Sequence, residues 1–151
     1  RAAAPAMAAH RQALPKVVVF DLDGCLWYPD MYMLWGGGAP FRLSKNGDLV
    51  DCRGQNVRML GAVPQILYEL KMDSKWESST VAVASCTDEP SWADECMRKF
   101  EIGGGFCIKD AIQVLEITKG NKQGHLRRIS ESTGVPLEQM LFFDNVSQLG
   151  R

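Results

Sequence analysis

Three short apolar runs in this chain are each followed at once by an oxygen-bearing side chain. Lys16–Phe20 leads into Asp21, Thr80–Ala84 into Ser85, and Met140–Phe143 into Asp144. Runs of this length that are apolar throughout, rather than alternating, belong to strands buried on both faces, as in a parallel sheet. Between them the period changes to that of a helix. Val63, Ile66, Leu67 and Leu70 recur at i, i+3, i+4 and i+7, with Pro64 near the start, where a helix tolerates it. Ala93, Cys96, Met97 and Phe100 repeat that spacing after Pro90, and the Gly103–Gly105 turn closes the segment. Phe106–Ile108 reads as a third strand. A last helix is predicted over 122–133, closed by Gly134 and Pro136. Alternating strands and helices predict an α/β fold, a doubly wound parallel sheet with helices on both faces.

One interval departs from that rhythm. About forty residues separate Phe20 from the first helix, where two to six would be ordinary. Within it, Asn46-Gly47 sits between alternating runs, which predicts a β-hairpin with a type I′ turn. Ligands in such folds bind beyond the carboxyl ends of the strands, so a small hairpin flap would overhang the site. A chain of 151 residues leaves no room for a large cap domain as well.

Composition excludes some classes. A formal charge of −1 is not that of a nucleic-acid binder. No apolar run approaches the ~18 residues that span a bilayer, so no membrane partner is expected. The five cysteines, Cys25, Cys52, Cys86, Cys96 and Cys107, are odd in number and form no CxxC pair. Free thiols in a reducing compartment follow, and with them a cytoplasmic location. Residues 1–15 are Ala-rich, carry Arg1 and Arg11 and lack any acid. They read as a disordered or targeting tail, which keeps organelle import open, and residues 16–151 as the core domain.

The chemistry gathers where strands end. Asp21 and Asp23, at i and i+2, are costly neighbours unless a cation shares them, and their oxygens suit Mg²⁺. A plain turn with solvated acids is the bland alternative. Ser85, Cys86 and Thr87 precede the helix at Pro90, and small hydroxyls with free backbone N–H groups there make an anion site, or simply a helix cap. Lys122 heads the next helix, with Lys119 as a competing choice. Asp-x-Asp, Ser, Lys and Asp in that order point to one phosphate-and-metal site. Trp27, Tyr28, Tyr32 and Trp35 surround Gly36–Gly38 and either line the flap or pack it. His125 reads as structural.

This ordered set resembles the haloacid dehalogenase superfamily of phosphohydrolases. Phe20–Gly24 match its first motif, Ser85 the second, Lys122 the third and Asp144 the fourth. Leu26-Trp27, Arg53–Arg58, Glu116-Ile117, Thr133–Pro136 and Gln139–Asp144 are also similar to the eukaryotic magnesium-dependent phosphatase group, so the likeness runs from about Pro15 to Asp144. The resemblance implies a Mg²⁺-dependent phosphomonoester hydrolase. Asp21 would be the nucleophile that forms an aspartyl-phosphate, and Asp23 the general acid and base. The metal would rest on the Asp21 carboxylate, the Asp23 backbone carbonyl and Asp144. Ser85, Cys86 and Lys122 would hold the phosphoryl group, and phosphotyrosine or protein-linked sugar phosphates would be the substrates. Three features depart from the family pattern. Cys25 stands where Thr is usual, Asn145 stands where a second Asp is common, and the chain stops soon after the fourth strand. A core truncated there would leave that strand as an exposed edge and a route to oligomers. The alternative reading is a catalytically impaired relative that acts as a binding or regulatory module.

Overall fold

The structure, a computed structural model, describes residues 13–145. Most of the tail assigned to 1–15, and the segment after Asn145, lie outside them. In chain order the strands and helices are β1 (Val17–Phe20), β2 (Trp27–Tyr28), β3 (Arg42–Leu43), β4 (Leu49–Val50), β5 (Asn56–Met59), α1 (Val63–Met72) and β6 (Thr80–Ser85). They continue as α2 (Pro90–Lys99), β7 (Glu101–Gly103), β8 (Phe106–Cys107), β9 (Val114–Ile117), α3 (Lys122–Thr133) and β10 (Met140–Phe143).

The core is a four-stranded parallel sheet in the order β10-β1-β6-β9. β1 has no exposed side chain, which is why its sequence is apolar throughout. Its even and odd positions face opposite ways. Val18 and Phe20, with Val81 and Val83 of β6, pack against Leu67 of α1 and against Ala93, Cys96 and Met97 of α2. Val17 and Val19, with Ala82 and Ala84, pack on the other face against Ile129 of α3. The sheet is therefore doubly wound, and since every strand is parallel, all four carboxyl ends open on one side.

Two sequence expectations change. Phe106 and Cys107 pair antiparallel with Glu101 and Gly103 in a separate ribbon, and the third core strand is β9. That strand is an edge, half-exposed and carrying Glu116, so it lacks the apolar run that marks β1 and β6. The Asn-Gly hairpin forms, but with a different turn. Ser44 N–H bonds Asp48 O at 2.8 Å and Gly47 N–H bonds Ser44 O at 3.1 Å. The loop is thus three residues with Gly47 at φ 92°, a type I turn ending in a left-handed residue, not a two-residue type I′ turn. The hairpin belongs to a four-stranded antiparallel flap in the order β2-β5-β4-β3. Among the described residues there is no large cap.

The flap is fastened to the core. Asp51 accepts N–H groups from Gly38 at 2.9 Å, Arg53 at 2.9 Å and Gln55 at 2.8 Å. Phe41 N–H reaches Glu95 of α2 at 2.8 Å, and Lys99 binds the same carboxylate at 2.7 Å. Phe41 meets Trp92 edge to face, with centroids 6.5 Å apart. Among the described residues no helix is long and apolar enough to cross a membrane, and all five cysteines are free thiols. β10 is the other edge of the sheet, with Leu141 and Phe143 exposed.

Gly38 is the tightest point of that attachment. Its φ is +90°, and a Cβ there would lie 2.3 Å from the Trp92 ring. Gly38→Ala should destabilise the fold by about 2–4 kcal/mol, left-handed strain and overpacking together. Urea unfolding of the variant beside the wild type measures this, and an unchanged midpoint would disprove the fastening.

Candidate active site

The carboxyl ends of β1, β6 and β10 deliver the polar groups. Asp21 continues the β1 ladder, its N–H bonding Phe143 O at 3.0 Å. Its Oδ1 accepts the Leu22 N–H at 2.8 Å and lies 2.8 Å from Lys122 Nζ. Lys122 also donates to Ala84 O at 2.7 Å, so one ammonium ties the first turn of α3 to the ends of β1 and β6. Lys119 points elsewhere. It pairs with Asp88 and reaches Cys86 O at 3.3 Å. Asp144, one residue past β10, brings its carboxyl close enough to Asp21 to push that group's pKa upward.

Asp23 faces a different way. Trp27 Nε1 donates to its Oδ1 at 2.9 Å, and the Thr87 hydroxyl and Met31 N–H also bond to it. Leu26 N–H bonds back to Leu22 O at 2.8 Å and Gly24 N–H to Trp27 O at 2.9 Å, so the chain folds into a tight turn that brings Trp27 beneath Asp23. Gly24 makes the turn possible. Its φ is +71°, and a Cβ there would meet the Asn145 amide at 2.2 Å. Ser85 is buried, and its Oγ accepts the Thr87 N–H at 3.3 Å. Asp21, Asp23, Ser85, Cys86, Thr87 and Asn145 line one open cleft of about 220 Å³, with Asp30, Tyr32 and Asp88 at its rim.

Sequence reasoning did not foresee the hydrogen bonds of Trp27 and Thr87 to Asp23. The four-residue spacing of Asp23 and Trp27 around a glycine was the available signal. The flap aromatics divide. Trp27 is fully buried and stacks on Phe100, whereas Tyr28, Tyr32 and Trp35 are exposed, Trp35 by 84%.

Burial dominates the electrostatics. It pushes the Asp21 carboxyl up to about 6; Lys122 and the Leu22 N–H oppose the shift and the Asp144 carboxyl adds to it. Asp23 is also raised, by burial first, against its three hydrogen-bond donors. Burial and then the Asp21 charge push the Cys25 thiol up to about 11, so Cys25 stays a thiol at neutral pH and adds no charge beside Asp21. Two neighbouring carboxyl groups, one of them desolvated and paired with a single ammonium, fit a small hard cation. Among the described residues no three His, Cys, Asp or Glu side chains converge as a metal cage. An ion here would rest on two carboxylates, main-chain oxygen and water, a donor set that suits Mg²⁺.

A parallel α/β core with acids, a hydroxyl loop and a lysine at its strand ends defines a hydrolase core of the haloacid dehalogenase type. The chain belongs to the acid phosphatase family, whose model matches residues 13–149. It is 36% identical over 148 residues to human magnesium-dependent phosphatase 1, covering 91% of this chain and 75% of that protein. It is 33% identical over 141 residues to a HAD-like hydrolase superfamily protein of Schizosaccharomyces pombe, covering 89% of this chain and 77% of that one. Among solved structures it is similar to the N-terminal part of a Bacteroides fragilis protein, which contains a phosphatase domain and was crystallised with Mg. The TM-score is 0.57 at 19% identity; the match covers 89% of this chain and 31% of that one, and it speaks for the fold.

The raised Asp21 pKa has a consequence for stability. Its folded-state value of about 6 lies above the ordinary 3.8, so folding favours the protonated form. The resulting cost is absent below about pH 4, grows as pH rises through 4 to 6, and is complete above 6. Asp21→Asn, measured in chelator, should therefore melt higher than wild type at pH 7.5, with the gain fading near pH 4. A gain largest at acid pH would contradict the burial argument.

Proposed function

We propose that the chain is a Mg²⁺-dependent phosphomonoester hydrolase that works through an aspartyl-phosphate on Asp21. The observation that carries this reading is the Asp21 carboxylate, desolvated at a strand end and oriented by Lys122 and the Leu22 N–H. An oxygen of Asp21 attacks phosphorus as the bond from phosphorus to the leaving oxygen breaks. Asp23, whose pKa burial pushes upward, gives its proton to that leaving oxygen. As a carboxylate it then takes a proton from the water that hydrolyses the acyl phosphate and frees Asp21. Ser85, the main chain at Cys86 and Lys122 hold the phosphoryl oxygens. Asp21, Asp144 and the Asp23 carbonyl would hold Mg²⁺, which when bound would supply the positive charge that lets an anionic nucleophile meet an anionic phosphate.

The substrate reading is a protein-borne phosphate, such as phosphotyrosine or a protein-linked sugar phosphate. Two observations support it. The cleft is open, with a flap rather than a cap over it, and Tyr28, Tyr32 and Trp35 expose aromatic surface on that flap. A second reading, a binding module with impaired chemistry, rests on Asn145, an uncharged amide packed against Gly24 where an acid is common.

Turnover of p-nitrophenyl phosphate and a phosphotyrosine peptide separates the two. Activity should vanish in chelator and return with Mg²⁺, and Asp21→Asn should lose roughly 10⁴-fold or more in kcat, as removal of a nucleophile does. Phosphate-analogue binding by the wild type without Mg²⁺-dependent turnover would favour the binding module.

A further inference from the structure

His125 is fully buried three residues after Lys122, and the chemistry above gives it no part. Its Nε2 lies 2.8 Å from Thr118 O and 3.2 Å from Thr118 Oγ1. A carbonyl oxygen only accepts, so Nε2 carries the hydrogen and Nδ1 is the bare nitrogen. Among the described residues Nδ1 has no partner. A buried polar atom left unmatched is costly, so the fold retains this ring at an expense that the Nε2 bond must offset.

Thr118 is the residue through which strand β9 reaches the site. Its N–H bonds Ser85 O at 3.1 Å, which fixes it to the end of β6. Its hydroxyl accepts Arg128 Nη2 at 3.1 Å, and Arg128 Nε in turn binds Glu116 at 2.8 Å. From Thr118 the chain passes Lys119 and Gly120, whose φ is 139°. It then enters α3 at Asn121, whose side chain caps the Gly124 N–H at 2.8 Å. The His125 N–H bonds Asn121 O at 3.3 Å and so closes the first turn. The imidazole therefore spans the base of the loop between Thr118 and His125, seven positions apart, and Lys122 projects from the turn it secures.

We infer that His125 is the positioning residue for Lys122: its Nε2–H bond to the Thr118 carbonyl sets the roll of the first turn of α3. That roll decides whether the Lys122 ammonium lands on Asp21 and Ala84 O or falls short of them. The inference rests on the reading of Lys122 as a phosphoryl-binding group. A misplacement of about 1 Å at such a group costs on the order of 100-fold in rate, so a residue that never meets substrate can still govern affinity for it.

The test is a cycle of His125→Leu, Lys122→Met and the double variant, all in full-length protein with Mg²⁺. The readouts are kcat, KM and the inhibition constant for inorganic phosphate, with thermal melting alongside. His125→Leu should weaken phosphate inhibition about tenfold or more and add nothing further in the Lys122→Met background, since both changes remove the same contact. His125→Gln places an amide N–H where Nε2–H stood and should restore phosphate affinity to within about threefold. His125→Asn, whose amide corresponds to Nδ1, should not. The Gln and Asn pair decides the matter alone if His125→Leu fails to fold. Additive losses in the cycle, or Gln and Asn behaving alike, would overturn the inference. If Lys122→Met leaves phosphate inhibition unchanged, the reading of Lys122 falls, and this inference falls with it.

Discussion

A carboxylate at the end of a fully buried strand loses hydration that apolar neighbours cannot return. Asp21 is in that position, one residue past β1, and the surrounding structure supplies what water would have. The Leu22 N–H and the Lys122 ammonium converge on a single oxygen, and Lys122 gains a second anchor on Ala84 O. That arrangement only partly offsets burial, since Asp21 still binds its proton more tightly than an exposed acid. The shortfall is chemically useful. It leaves two neighbouring carboxyl groups, Asp21 and Asp144, that an added cation would relieve, and an Asp21 carboxylate held in one orientation.

Asp23 solves the same problem differently. Its carboxyl meets Trp27, Thr87 and the Met31 N–H, all neutral donors. Burial raises its pKa as it does that of Asp21. Two acids at i and i+2 thus have different partners, an ammonium for one and an indole for the other. Gly24 allows this, by adopting a left-handed turn against which Asn145 packs.

Some of this was legible in the chain. The apolar runs at β1 and β6 announced buried parallel strands because each is covered on both faces, whereas β10 carries an apolar run although it is an edge with Leu141 and Phe143 exposed. The helical spacing in α1, α2 and α3 announced packing faces. β9 escaped notice because an edge strand is held from one side, so Val114–Ile117 needs no continuous apolar run and spends Glu116 on Arg128. Phe106 and Cys107 looked more like a core strand, yet they close a ribbon beneath α1 and α2. The hairpin was readable from Asn46-Gly47, but its turn depended on Ser44 and Asp48, whose bonds made it three residues long.

The sequence by itself determined which polar residues stand at the strand ends and at the start of α3, because strand ends and helix starts are encoded within a few neighbouring side chains. Only the tertiary structure decided how those residues meet. It turned Lys122 to Asp21 and Lys119 to Asp88, although both stand near the start of one helix. It buried Trp27 and left Trp35 in solvent, although both belong to one aromatic-rich insertion. It fastened the flap to α2 through Gly38, Phe41 and Glu95. Each outcome joins residues tens of positions apart, and such a pairing is settled by close packing and by the need of every buried polar group for a partner.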